Sequence, residues 1–463
     1  MKRKIKAGFL PLYIKLYDDT TPYMRKTAEK FVAETGDRLE KIGIDIVRAP
    51  ICRVKSEFEE AVHFFEEANV DLIITLNVAY SPSLESCGVL SSTKLPILIL
   101  DTTFHYEFTP FMYADSVNYN HGIHGVMDLC NMLRRNGKKY EIVAGYFGEV
   151  NPGYEDMVRR ILAYGKACVI RNELTHAKAG LVGGQFEGMG DFRIPFDELR
   201  KKLGIEVVEY DMKSRKYIDA VTDEEIDTEY ALDSERYTVT ASREVYNKCA
   251  RAALAMRKWI KDEGLTAFTM NFLAADKNSS FPTMPFAEAS LEMANGIGYA
   301  GEGDVLTASF VGALMTVFDE VTFAEIFCPD WRHNNLFFSH MGEYNVALSS
   351  TEKKPVMSEV DFIYGDSFNP VCVVAPFKPG RSAFVSLNPM PDGTFDVYCQ
   401  NGEMLYTPFE NEQSISPNGW WKPDVTVPEF LESYCKAGGI HHAAVVYGDD
   451  DIAEIFAYLS KVI

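Results

Sequence analysis

Lys6-Ala7-Gly8-Phe9-Leu10-Pro11-Leu12-Tyr13 opens the chain with an apolar run. An amphipathic helical pattern follows over residues 22–41, and Ile44-Asp45-Ile46-Val47-Arg48 returns to a short apolar run. A helix between two such runs predicts two parallel strands of one sheet, because the crossover brings the chain back to the same end. The pattern continues outward. Residues 71–76, 96–100 and 140–147 read as strands, and residues 57–68, 121–135 and 154–166 as helices. Strands alternating with helices predict a parallel sheet covered on both faces, here an α/β domain over residues 1–168.

A second α/β domain is predicted over residues 169–319, with strands at 179–183, 205–210 and 267–271 and helices at 196–203, 243–263 and 285–295. Beyond residue 320 the texture changes. Short strand candidates at 355–364, 371–377, 382–387 and 395–399 are separated by Gly, Pro, Asp and Asn, as in an antiparallel barrel or sandwich. A short helix at 428–436 and a strand after His442 complete a β-rich domain over residues 320–463.

Composition narrows the function classes. The chain has 463 residues, a net charge of -21 and 47% hydrophobic residues, which fits a multi-domain globular enzyme. Such an acidic surface repels phosphate backbones and anionic lipid, so neither nucleic acid nor membrane is expected as a partner. No apolar run is long enough to span a bilayer. Nine scattered cysteines without a CxxC pair read as reduced thiols of a cytoplasmic protein. Cys328, three residues after Glu325, reads as core packing rather than as a catalytic group.

The chemistry-bearing residues gather in the last third. Glu302 lies in Gly296-Ile297-Gly298-Tyr299-Ala300-Gly301-Glu302-Gly303-Asp304, just before a helical run at 305–318. Glu325 is flanked by Phe323, Ile326 and Phe327, and a buried carboxylate in that setting needs a proton, a cation or a metal. His340 and the His441-His442 pair add imidazoles. Two carboxylates balance one divalent cation, and carboxylates with imidazoles leave room for substrate oxygens in an octahedral shell. Each residue also has a structural reading: Glu302 as a helix N-terminal carboxylate, His340 as a hydrogen-bonded core residue. The glycine-rich loop at 183–190 lacks nucleotide-binding spacing and reads as a substrate-side loop or a plain turn.

In combination these stretches resemble the L-arabinose isomerase family, within the broader L-fucose/L-arabinose isomerase group. Met284-Pro285-Phe286 through Gly301-Glu302-Gly303-Asp304, with Leu306-Thr307-Ala308, resembles the segment of its first metal-binding glutamate. Thr322-Phe323-Ala324-Glu325 resembles the second, Ser339-His340-Met341 the first histidine motif, and Ala437-Gly438-Gly439-Ile440-His441-His442 the last. Upstream, Asn118-Tyr119-Asn120-His121-Gly122-Ile123-His124-Gly125 is similar to the family's N-terminal sugar-contacting segment, and Gly188-Met189-Gly190-Asp191-Phe192 resembles a substrate-side loop. The departures lie around the sugar: Ile326-Phe327-Cys328-Pro329-Asp330-Trp331 replaces a polar, tyrosine-containing run, His121 stands where the family has glutamine, and the opening run at 8–13 differs.

The resemblance implies two Rossmann-like α/β domains followed by a barrel-like C-terminal domain. It implies an aldose–ketose isomerase working through an enediol, with Glu302 and Glu325 passing protons. Glu302, Glu325, His340 and His442 would hold one divalent ion, Mn2+ in first place, and His121, His124, Met189 and His441 would contact the sugar. It further implies a homo-oligomer, a trimer or hexamer, whose active site is shared between subunits; the plain reading of His124 is a helix cap or an exposed residue. Other metal-assisted carbonyl chemistry, an aldol cleavage or an epimerisation, stays open beside isomerisation, as does a non-catalytic sugar-binding protein.

Overall fold

A computed structural model describes residues 2–449 and 451–463. The chain forms two compact units, made up essentially of residues 3–169 and 170–461. In the first, β1 (Lys6–Leu12), β2 (Asp45–Arg48), β3 (Leu72–Asn77), β4 (Ile97–Asp101) and β5 (Glu141–Ala144) form a sheet in the order β2-β1-β3-β4-β5. Every pairing is parallel. Central β3 is buried at all its positions, which is why it reads as a continuous apolar run, whereas edge strand β2 is partly exposed. The helix Lys55–Glu67 buries Phe58, Ala61, Val62 and Phe65. Phe65 lies so close to Gly8 that a Cβ there would sit 2.5 Å from the ring, so glycine sets how tightly this helix packs.

The second unit begins with β6 (Lys178–Val182), β7 (Glu206–Glu209), β8 (Thr238–Val239), β9 (Ala267–Met270) and β10 (Gly298–Gly301). Four of these form a parallel sheet in the order β10-β9-β6-β7. The helix Val305–Met315 is buried at every position, because it packs against β9 and β10 on one side and against barrel strands on the other. The remaining strands are β11 (Val321–Asp330), β12 (Asn335–Ser339), β13 (Val356–Glu359), β14 (Val371–Val374), β15 (Gly380–Pro389), β16 (Phe395–Met404), β17 (Asn418–Pro423) and β18 (His442–Tyr447). Six of them close an antiparallel barrel in the order β11-β12-β17-β16-β15-β18. Phe338, Phe384, Met404, Trp421, Ala443 and Val445 belong to its apolar core, capped by Phe430 and Tyr434 of the helix Val427–Lys436.

The sequence at 355–364 and 371–377 does contain strands, but these stand outside the barrel. β13 pairs antiparallel with β14 and parallel with β8, giving a separate three-stranded sheet. That partnership joins residues more than a hundred positions apart and leaves no local signature. Conversely, β11, β12 and β17 are barrel strands that the apolar pattern does not announce. Pro329 and a register shift between Ile326 and Cys328 interrupt the alternation in β11. Among the described residues no helix is long and apolar enough to cross a membrane, and all nine cysteines are free thiols.

Candidate metal centre and active site

Barrel register builds half of the site. On β11, Glu325 pairs directly with His442 of β18 and with Ser339 of β12, so neighbouring strands bring Glu325 and His442 side by side and place His340 just past the end of β12. The other half comes from the end of β10. There the chain turns through Glu302 at φ 65° and Gly303 at φ 86° before Asp304 caps the helix Val305–Met315, its carboxylate accepting the Thr307 N–H at 2.9 Å. A left-handed glutamate costs roughly 1–2 kcal/mol. It is held by the Phe186 N–H, which donates to the Glu302 carbonyl at 3.0 Å, and by the Gly303 N–H, which donates to Thr269 Oγ1 at 3.0 Å. Gly301 must be glycine for His340 to reach the site, since a Cβ would lie 2.7 Å from the imidazole Cε1.

These elements bring Glu302, Glu325, His340, His441 and His442 together. Glu302 Oε2 lies 3.4 Å from His441 Nε2 and 3.5 Å from His442 Nε2. Glu325 lies 3.9 Å from His340 Nε2 through one oxygen and 3.9 Å from His441 Nε2 through the other. One ligand atom each from Glu302, His441 and His442 falls within 4.8 Å of the other two. Phe323 presents its ring edge-on to His340 and His442, and Phe192 stacks on His442 at 5.3 Å, which keeps the inner side of the cluster apolar.

Each of the three imidazoles has a carboxylate behind it. His340 Nδ1 is 2.6 Å from Glu343, His441 Nδ1 is 2.6 Å from Asp191, and His442 Nδ1 is 2.9 Å from Asp304. Glu343 is itself fixed by the Tyr299 hydroxyl at 2.7 Å and the Gly342 N–H at 2.8 Å. With Nδ1 engaged, each Nε2 turns to the shared centre, the arrangement that orients imidazoles on a metal. His442 Nε2 is buried and, among the described residues, has no hydrogen-bond partner. An orphaned imidazole nitrogen facing carboxylates fits a divalent cation held by mixed oxygen and nitrogen donors.

The electrostatics agree. Burial alone would lower the imidazoles, but Asp191 and Glu302 hold His441 up at about 10, and Asp304 and Glu302 hold His442 at about 9. Burial also works against His340, which the Glu343 carboxylate raises nonetheless. Burial would raise Glu302 and Asp191; the facing imidazoles outweigh it and bring each down to about 2. So much negative charge around the centre is what a cation would neutralise.

His121 and His124 belong to the first unit, at the start of the helix Gly122–Arg135. His121 bonds the Tyr17 hydroxyl at 2.9 Å and the Val117 carbonyl at 2.8 Å, whereas His124 is exposed. Met189 is half-buried in the loop that carries Asp191. Cys328 is exposed rather than packed, because the irregularity after Ile326 turns this stretch of β11 outward. The sequence alone assigns no role to Asp191, Asp304 or Glu343. Glu343, three residues after His340, was the one with a local signal.

Strained backbone, carboxylate-backed imidazoles and shifted ionisations gather at the meeting of a parallel sheet and a closed barrel, the kind of setting in which active sites concentrate. Residues 198–320 match the L-arabinose isomerase central domain and residues 320–462 the L-arabinose isomerase C-terminal domain. The chain is 27% identical to L-arabinose isomerase 1 of Bacillus licheniformis over 83% of this chain and 78% of that one. It is 24% identical to L-arabinose isomerase of Flavobacterium johnsoniae over 92% of this chain and 86% of that one. The chain belongs to the L-arabinose isomerase family.

Proposed function

We propose that this enzyme interconverts an aldose and a ketose through an enediol, with Glu302, Glu325, His340 and His442 holding one divalent cation, Mn2+. The convergence of two carboxylates on three imidazoles whose Nδ1 atoms are already engaged carries this reading. When bound, the cation supplies Lewis-acid stabilisation of charge at the O1 and O2 oxygens of the open-chain sugar. Glu302 and Glu325 then move protons between C1 and C2 and between their oxygens, the work of positioned general acids and bases. His340 and His442, locked by Glu343 and Asp304, are holders. His441, Met189, His121 and His124 contact the sugar, and Phe192 and Phe323 exclude water from the inner face.

The relatives' names make L-arabinose the first sugar to try. The altered run from Ile326 to Trp331 favours a preference of its own. The same reading takes the chain as a cytoplasmic trimer or hexamer in which His124 of one subunit completes the site of another, with residues 169–319 and 320–463 as separate domains. Turnover on a panel of pentoses, hexoses and deoxy sugars with Mn2+ tests the reaction. Ketose formation supports it; cleavage products or epimers alone would replace isomerisation by an aldolase or epimerase. Mixing inactive His124→Ala with inactive Glu302→Gln chains tests sharing, and activity should partly return.

A further inference from the structure

Three imidazoles face the centre, but their settings differ. His442 and Asp304 have fully buried side chains, and His340 and Glu343 are 2% and 1% exposed. His441 and Asp191 are 32% and 34% exposed. Two pairs therefore sit on the closed, inner side, and the third sits where a ligand could enter.

The bond to His441 is also of another kind. One Asp191 oxygen accepts both the His441 backbone N–H at 2.8 Å and the ring nitrogen at 2.6 Å, so backbone and ring are gripped together. The next residue, Phe192, stacks on His442 with an interplanar angle of 9°. The loop carrying both is tied to the first glutamate: the Phe186 N–H donates to the Glu302 carbonyl, and a Cβ on Gly303 would meet the Gly184 carbonyl at 2.5 Å.

We infer that Asp191 is a positioning residue: it holds His441 turned to the sugar side of the centre, as a substrate-binding group and not as a further holder of the cation. Its Nε2 lies 3.4 and 3.9 Å from Glu302 and Glu325, and released from Asp191 the ring would be free to swing away from them. The inference rests on the isomerase reading of the same site and assigns the double histidine two separate tasks.

The test compares Asp191→Ala, Asp191→Asn and Asp304→Asn in the full-length chain, with melting curves to confirm folding. Mn2+ affinity is followed by electron paramagnetic resonance of the free ion, kcat and KM are measured on whichever sugar turns over, and the His441 signal is followed by NMR in metal-free protein. Asp191→Ala should raise KM about tenfold or more, shift the His441 signal and leave Mn2+ affinity within about threefold of wild type. Asp191→Asn, which keeps an acceptor oxygen, should fall between. Asp304→Asn, behind a holder, should lose about 10–100-fold in Mn2+ affinity. Loss of Mn2+ affinity in Asp191→Ala comparable to that in Asp304→Asn would overturn the inference, as would an unchanged KM and His441 signal. If wild type turns over no sugar, the isomerase reading fails, while the Mn2+ and NMR comparisons still decide the placement of His441.

Discussion

Asp304 does two jobs with two oxygens. Oδ1 caps the helix Val305–Met315 by accepting the Thr307 N–H, and Oδ2 fixes His442 Nδ1 at 2.9 Å. Asp304→Asn should separate them. Asparagine caps as well as aspartate, so the helix keeps its N-terminus. Its amide NH2, however, would face an imidazole N–H, and pairing would require the His442 proton to move to Nε2, where it blocks the metal position. Mn2+ affinity should fall about 10–100-fold, or about 1.4–2.8 kcal/mol, and the metal-free protein should melt earlier below about pH 9, where the charged His442 has lost its carboxylate partner. Asp304→Ala should lose the metal too and unfold earlier still. The lost cap costs about 1 kcal/mol, and the buried imidazole left without an acceptor about 1–3 kcal/mol. Titration of free Mn2+ by electron paramagnetic resonance, with calorimetry on the same samples, reads both effects. Wild-type Mn2+ affinity in Asp304→Asn would refute the role of the buried carboxylate in orienting His442.

Glu302→Gln and Glu325→Gln should each lower turnover by about 100- to 10,000-fold; near wild-type rates with full metal content would remove both from proton transfer. Mn2+ binding should strengthen as pH rises toward 9, because His442, held at about 9 by its carboxylates, must release a proton to admit the ion; affinity that is flat between pH 6 and 9 would contradict this. In the metal-free protein the sign reverses. The raised His442 contributes stability that is fully present below about 6.5, its ordinary value, and is lost as pH climbs through about 9, while the depressed Glu302 contributes stability that is lost only as pH falls toward about 2; denaturant melts across pH show whether this holds. Gly301→Ala should push His340 out of line, since the new methyl would meet a ring anchored by Glu343, and Mn2+ affinity should drop about tenfold or more; unchanged affinity would show that His340 does not need its present place.

The alternation of apolar runs and amphipathic helices was enough to read the parallel α/β architecture, because buried parallel strands such as β3 are apolar throughout and their crossovers are local. The helix Ser83–Ser92 escaped that reading: its buried face is Ser83, Ser86, Cys87 and Leu90, and small polar residues leave no hydrophobic stripe. Pairings between distant segments were equally illegible, as with β13 joining β8 outside the barrel. Within the centre, Glu302, Glu325, His340 and His442 could be named because each sits in a distinctive local stretch. Asp191 meets His441 from 250 positions away and Asp304 meets His442 from 138, and only the folded chain shows such contacts.

The proposed chemistry is tested most directly by running the Mn2+-loaded enzyme in heavy water on the aldoses of the sugar panel and following product by NMR. An enediol formed by Glu302 and Glu325 predicts conversion to the corresponding ketose, with deuterium entering at the carbons that exchange a proton with solvent, and loss of both signals when the metal is stripped or either glutamate becomes glutamine. Full metal loading with no ketose and no deuterium uptake from any sugar of the panel would contradict it.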